Sequence, residues 1–329
     1  MTIKNRRIFI TGGAGFIGSY LIERLFRNNT ITCLDRRARS SNIEYLLQRY
    51  GEQLEGKLRL VEGDVRNREA VRDAVTNSSP DFVFHLASIA GVRQVVEKPF
   101  ETMEANVLGS YNLLSAIREI GSKSQRLIFT STSEVYGPTT FGAGEDTFTT
   151  LGSPYDPRWS YSASKIFVEH LFVALQREIQ LPVVIVRPFN IYGPRQIGEG
   201  AVHIFMERAL RGEPLPVYGR GDQVRAWCYI DDCVDGLLLL AEKGNGIYNI
   251  GNPQQALTTY MLAQKIRDMT DNKSQIVMRD MKFTDVYVRV PSIEKIHAMG
   301  YKPRVALDEG LKRTMQWYRS LDQYANPLG

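Results

Sequence analysis

Short apolar runs alternate with longer stretches of helical spacing through the first half of the chain. Arg7–Thr11, Ile31–Leu34, Leu58–Val61, Phe82–Leu86, Leu127–Thr130 and Val183–Val186 read as strands, dominated by Ile, Val, Leu and Phe. Phe16–Phe26, Glu69–Val75, Met103–Ile120 and Tyr161–Gln176 carry apolar residues at the spacing of a helix face. Continuous apolar strands between helices imply burial on both faces, and hence βαβ units with right-handed crossovers. The predicted fold class is α/β, a Rossmann-type doubly wound parallel sheet.

After Arg187 the alternation loses its regularity and Pro and Gly become frequent, from Pro188, Gly193 and Pro194 to Gly219 and Gly221. We therefore expect a Rossmann lobe over residues 1–189 and a smaller mixed α/β lobe over 190–329. The second lobe is built to close over a ligand, with some segments returning to the first. A long loop over 137–158, rich in Gly, Thr and Pro, is of a length that is often functional.

Composition narrows the class. The chain has 329 residues, 43% apolar and 23% charged, which is ordinary for a soluble globular protein. Met1 to Arg7 runs straight into a strand and lacks a signal peptide's apolar core, so a cytoplasmic protein is expected. Cys33, Cys228 and Cys233 are too few and too scattered for a disulfide framework, and no His or Cys cluster completes a metal site. The formal charge of +5 suits an anionic ligand such as a diphosphate, while its dispersion beyond Arg36, Arg37 and Arg39 speaks against nucleic acid.

The first chemical motif lies between the first strand and the first helix. Gly12, Gly15 and Gly18 allow a tight turn and close backbone approach to a pyrophosphate. The helix opening at Phe16 and Ile17 then offers unpaired N–H donors to that anion. Asp35, at the end of the second strand, would accept from ribose hydroxyls, which favours NAD over NADP. Arg36 and Arg37 beside it could hold a 2′-phosphate, but Asp35 would repel one. Asp64 and Val65, after the third strand, flank the adenine, Asp64 being equally readable as a turn residue. Leu86, Ala87 and Ser88 end the fourth strand beside the expected pyrophosphate, and His85 reads as structural.

The second motif is Tyr161 and Lys165, four apart on one helical face. A lysine ammonium beside a phenol lowers its pKa and makes tyrosine a usable base. Thr132, Ser133 and Glu134 follow the fifth strand. Ligands in open parallel sheets bind outside the carboxyl ends of the strands, so these three face the reacting centre.

Together with Arg187-Pro188-Phe189-Asn190, Tyr192-Gly193-Pro194, Tyr218-Gly219, Arg225, Tyr229-Ile230-Asp231-Asp232 and Asn249-Ile250-Gly251, these motifs resemble the extended short-chain dehydrogenase/reductase family of nucleotide-sugar epimerases, dehydratases and decarboxylases. The resemblance runs over nearly the whole chain. It implies NAD as cofactor and a nucleotide sugar, UDP-linked, as substrate. Tyr161 would take a proton from a sugar hydroxyl as hydride leaves that carbon, Lys165 would hold the nicotinamide ribose, and Thr132 would bond the sugar hydroxyl. Asn190, Val202, Tyr218, Arg225 and Arg289 would contact the substrate, the two arginines its diphosphate. A homodimer through paired long helices is also implied, with no membrane partner.

A C4 ketone opens three outcomes: 4-epimerisation, loss of water across C5 and C6, or loss of CO2 from a C6 carboxylate. Dehydratases of this family carry Asp-Glu after the threonine, whereas Ser133 stands here before Glu134. Thr132-Ser133-Glu134, Pro157-Arg158-Trp159 and Arg289-Val290-Pro291-Ser292 are similar to UDP-glucuronate decarboxylases, whose equivalents of Ser133, Glu134 and Arg289 serve decarboxylation and protonation. The expected function is decarboxylation of UDP-glucuronate to a UDP-4-keto-pentose or UDP-xylose. A UDP-sugar 4-epimerase is the alternative, ahead of a 4,6-dehydratase or a non-catalytic NAD-binding regulator, which would need a damaged Tyr or Lys.

Overall fold

A computed structural model describes residues 3–121, 126–196, 198–270, 274–281 and 284–321. In chain order the first half runs β1 (Arg7–Thr11), α1 (Phe16–Leu25), β2 (Thr30–Asp35), α2 (Ser41–Tyr50), β3 (Leu58–Glu62), α3 (Arg68–Ser78), β4 (Phe82–His85), α4 (Val92–Glu97), α5 (Pro99–Ile120), β5 (Arg126–Thr130), β6 (Thr139–Ala143), α6 (Ser160–Ile179) and β7 (Val183–Pro188). The second half runs β8 (Ile191–Tyr192), α7 (Ala201–Leu210), β9 (Leu215–Tyr218), β10 (Val224–Ala226), β11 (Cys228–Tyr229), α8 (Ile230–Lys243), β12 (Gly246–Ile250), β13 (Ala256–Thr258), α9 (Thr259–Asp268), β14 (Ile276–Arg279), β15 (Val288–Pro291), α10 (Glu294–His297) and α11 (Leu307–Arg319).

Seven strands form one parallel sheet in the order β12-β7-β5-β4-β1-β2-β3. Successive residues such as Phe9 and Ile10 are both fully buried, as a sheet covered on both faces requires. The apolar spacing of the first half therefore gave the fold class correctly. Two elements of this sheet region lay outside the sequence reading. Helix α2 is short and mostly polar, started by the Ser40 hydroxyl, which accepts from the Ile43 N–H. Strand β12 comes from far along the chain and adds beside β7. Helix α5 begins at Pro99, ahead of the expected Met103, because proline suits the first helical turn.

A second, four-stranded sheet has the order β13-β10-β15-β6. Its strand β6 and a single helical turn over Pro157–Trp159 come from the 137–158 loop, so that loop is partly ordered into structure. Strand β6 pairs parallel with β15, setting Thr140 opposite Arg289. Long chain excursions thus bring residues near 140, 225 and 289 into one layer above the carboxyl ends of the main sheet. The three cysteines are free and buried. No helix among the described residues is long and apolar enough to cross a membrane.

Candidate active site

The glycine turn is built for close approach. Gly12 has φ +72°, and a Cβ there would lie 2.6 Å from the Ala87 nitrogen. A Cβ on Gly18 would lie 2.5 Å from the Gly12 carbonyl oxygen. β1 and β4 can therefore come together only around hydrogen side chains, and α1 starts with its N–H groups facing the gap.

A cavity of about 420 Å³ opens there, walled by Gly12, Gly15, Phe16, Ile17, Gly18, Asp35, Arg36, Asp64, Val65, Leu86, Ala87 and Ser88. These are the residues expected around the adenosine and pyrophosphate. Leu34, Gly63, Ile89, Ala90, Ala105 and Thr130 complete the wall, and of these Ile89, Ala90 and Ala105 carried no motif. Asp35 accepts from the Ala14 N–H at 3.1 Å and the Arg37 N–H at 3.0 Å, so its carboxylate is held across the glycine turn. The cavity, the cradle a Cβ would fill and the acid at its rim together fit a dinucleotide.

Two of the open readings acquire partners. Asp64 is gripped by the Arg66 guanidinium at 2.7 Å, which holds its pKa below the usual range. It lines the cavity as one half of an ion pair that Arg66 extends to Glu104. His85 shares hydrogen bonds with Thr11 Oγ1 and Ser110 Oγ at 2.6 and 2.8 Å, and its full burial pushes the imidazole down to about 3. It is a neutral structural histidine stacked on Phe129 and Phe172.

At the far end of the cleft, Tyr161 sits in the first turn of α6 with Lys165 one turn on. Asn106 of α5 fixes this helix start: its amide donates to Ser164 Oγ at 3.1 Å, and its oxygen accepts from Ser88. Lys165 Nζ donates to the Thr130 carbonyl at 2.9 Å and lies 5.8 Å from the Tyr161 ring centre. Burial lowers the lysine to about 7, against the pull of Glu169. The Tyr161 phenol is raised, by burial first and by the Glu134 charge second, while Thr132, Ser88 and Arg158 act to lower it. The expectation that Lys165 makes the phenol acidic is thus not met by the protein groups alone. Desolvation outweighs it, and the lowering groups are the two hydroxyls and an unforeseen arginine.

That arginine, Arg158, is 3% exposed and holds Glu134 with two nitrogens, Nη1 on one oxygen and Nη2 on the other, the latter at 2.8 Å. Arg289 Nη1 adds a longer bond to Glu134 at 3.3 Å. The two guanidinium groups overcome the desolvation of Glu134 and bring it down to about 2. Glu134 follows Thr132, whose hydroxyl accepts from the Glu134 N–H at 3.2 Å and starts a helical turn that also buries Ser133.

Arg225 and Arg289 are register partners on the parallel strands β10 and β15. Like charges side by side on a sheet destabilise it. Asp285 relieves part of this by accepting from Arg225 at 3.1 Å, and burial with Arg289 nearby still lowers Arg225 to about 10. Three arginines (158, 225 and 289) face two carboxylates (Glu134 and Asp285). Arg289 Nε and Nη2 and Arg158 Nε are buried without a partner among the described residues. Buried donors left unsatisfied are costly, so a layer with excess positive charge and open N–H groups is suited to an anion.

The remaining expected substrate contacts separate. Asn190, at φ +41°, donates its amide to the Ala226 carbonyl at 3.0 Å and so ties β10 to the end of β7. Tyr218 is 47% exposed at the end of β9. Val202 is 1% exposed and its side chain packs into the core of α7, so it has no free face for a ligand. Sequence reasoning left Arg158 and Asp285 out of the site, since a lone charge in a loop reads as surface. The one signal for Arg158 was its place in a Pro-Arg-Trp turn just ahead of Tyr161.

Residues 8–251 match the model of the NAD dependent epimerase/dehydratase family. A UDP-N-acetyl-alpha-D-glucosaminuronate decarboxylase of Bacillus cytotoxicus is 37% identical over 332 residues, covering 96% of this chain and 99% of its own. UDP-glucuronic acid decarboxylase 3 of Arabidopsis thaliana is 34% identical, covering 93% of this chain and 87% of its own. The structure of Thermus thermophilus UDP-glucose 4-epimerase complexed with NAD superposes with a TM-score of 0.85 at 31% identity, covering 95% of this chain and 99% of its own.

Proposed function

The chain belongs to the NAD-dependent epimerase/dehydratase family, and from that premise we propose that it decarboxylates a UDP-linked hexuronate after oxidising C4. The observation that carries this reading is the pair of unsatisfied buried donors on Arg289, which bonds Glu134, the carboxylate whose charge acts on the Tyr161 phenol. A neutral hexose offers these donors only single uncharged hydroxyl acceptors, whereas a C6 carboxylate would accept from both prongs of the guanidinium. The likeness to the Bacillus and Arabidopsis decarboxylases of UDP-linked acid sugars supports the same reading.

Gly12, Gly15, Gly18 and Asp35 would hold NAD, whose chemistry would be to take up the C4 hydride and give it back. Tyr161 takes the C4 hydroxyl proton as the phenolate, a form that the Lys165 ammonium, the Thr132 and Ser88 hydroxyls and Arg158 favour against burial, and the Thr132 hydroxyl holds that oxygen. The C4 ketone makes the uronate a β-keto acid, so the C5–C6 bond breaks, CO2 leaves, and the electron pair is stabilised as the enolate. Arg289 orients the departing carboxylate, and Ser133 and Glu134 line the face where C5 regains a proton. Arg225 meets the diphosphate. Asp35 selects NAD over NADP by holding the ribose hydroxyls. The lobes divide at 189/190, the cofactor lying on the first and the sugar nucleotide reaching the second.

A UDP-sugar 4-epimerase is the second reading, favoured by the likeness to the Thermus enzyme. Helix α5 exposes Phe100, Met103, Leu108 and Tyr111, and α6 beside it exposes Phe167. This exposed apolar stripe supports a homodimer through these two helices. Incubation with NAD and UDP-glucuronate, UDP-N-acetylglucosaminuronate or UDP-glucose, followed by mass spectrometry, tests the reaction. An acid sugar lighter by about 44 Da (CO2, the hydride returned, a pentose) or about 46 Da (CO2 and two hydrogens, a 4-keto-pentose with NADH formed) is expected. Unchanged mass with an inverted C4 would establish the epimerase instead.

A further inference from the structure

The Glu134 carboxylate has two guanidinium groups to choose between. Arg158, from the turn before α6, takes both of its oxygens, and Arg289, from β15, receives only the 3.3 Å contact. The other groups acting on this cluster are Arg225 from β10, Asp285 ahead of β15, and the Tyr161 phenol from α6. Arg289 is buried, yet Nε and Nη2 find no acceptor among the described residues. An arginine beside a buried carboxylate would ordinarily close a two-pronged pair with it. Here the fork of Arg289 is open because the carboxylate is already occupied.

We propose that Arg158 is a positioning residue that engages Glu134 on both oxygens and thereby keeps the Arg289 guanidinium open for the carboxylate of the substrate. The idea rests on the acid-sugar reading above. Arg158 need not touch the sugar. Its effect is carried by the turn Pro157–Trp159, which is stiffened by Pro157 and by the Asp156 carboxylate accepting from the Arg158 N–H at 3.0 Å. Without Arg158, Glu134 would turn both oxygens to Arg289 and close the site against its own substrate. Glu134 would then act as an internal competitor for the substrate's carboxylate.

The test is a binding titration of NAD-loaded protein, all variants carrying Tyr161→Phe to suppress turnover, with mass spectrometry confirming that the sugar is unchanged at the end. UDP-glucuronate and UDP-glucose are the two probes, and calorimetry gives each Kd. Arg158→Gln should weaken UDP-glucuronate about tenfold, the worth of one charge-assisted contact, and leave UDP-glucose within about twofold. Adding Glu134→Gln should restore much of the UDP-glucuronate affinity, because Arg289 then has no anionic neighbour to close on. A purely structural role for Arg158 would not be rescued by a second change in the core. Arg158→Lys keeps the charge but cannot bridge two oxygens, so it should fall between the two and serves if Arg158→Gln folds poorly. Equal weakening of both sugars, or no rescue by Glu134→Gln, overturns the proposal while the parent's preference for the acid sugar leaves the substrate reading standing. A parent protein that binds the two sugars alike overturns the substrate reading, and this proposal with it.

Discussion

Behind the catalytic helix lies a buried polar cluster whose removal has a calculable effect. Glu169, one turn beyond Lys165, accepts from Arg187 Nε at 3.0 Å and Nη2 at 2.6 Å, and also from the Ser131 hydroxyl. Arg187 continues to Tyr136 at 2.9 Å, and Tyr136 donates to Asn249 at 2.9 Å. Glu169→Gln strips the charge from a pair in which both members are buried. Breaking such a pair from one side costs about 3–5 kcal/mol, or at least about a hundredfold in the folding equilibrium. The companion Glu169→Gln/Arg187→Met removes both charges and should cost less than the single change. Urea unfolding at saturating NAD, followed by circular dichroism, measures both. Glu169 also props up the ammonium of Lys165, which burial holds at about 7. Its loss lowers the lysine further, so the pH at which kcat falls on the alkaline side should move down in Glu169→Gln. A single variant that costs under about 1 kcal/mol, or a double that costs the sum of its parts, would refute the claim that this pair is buried and coupled.

Gly12→Ala places a Cβ 2.6 Å from the Ala87 nitrogen at φ +72°, so it should purify with little NAD, read as loss of cofactor released on heating. Tyr161→Phe should lower kcat by about 10²–10⁴ while retaining NAD, the separation between an enzyme and a mere binder. His85 is held near 3, well below its ordinary 6.5, so its neutral form is the folded one. The stability it guards is complete above pH 6.5 and drains away as pH falls toward 3, by up to about 5 kcal/mol. His85→Asn should flatten that acid limb in equilibrium unfolding, and an unchanged slope would assign the acid sensitivity elsewhere.

The main sheet was legible because its central strands β1, β4, β5 and β7 are apolar on both faces and the helices α1, α3, α5 and α6 carry their own periodicity, whereas the polar face of α2 and the distant origin of β12 hid those two. The cofactor cavity was legible because glycines at a strand-to-helix turn and an acid at the next strand end have few other uses. The anion layer was not, for a physical reason. Arg158, Arg225, Asp285 and Arg289 meet only through pairings such as β6 with β15 and β10 with β15, which join segments more than 60 residues apart and leave no local pattern. Arg225 and Arg289 came from resemblance, and Arg158 and Asp285 became visible only with their partners in place. Val202 carried no local signal of its own: its side chain has the chemistry of any core valine, and it lies in the core.

The pairing of β6 with β15 also sets an order in time. A chain emerging from synthesis presents Gly12, Asp35, Glu134 and Tyr161 long before β15 exists, and local contacts form ahead of distant ones. The nucleotide cavity can therefore assemble while Glu134 still lacks Arg289, and β6 waits with an unpaired edge until residues 288–291 arrive. A dinucleotide captured early would hold the growing half together. The anion layer is thus completed after the nucleotide cavity, when β15 arrives to join β6 and β10.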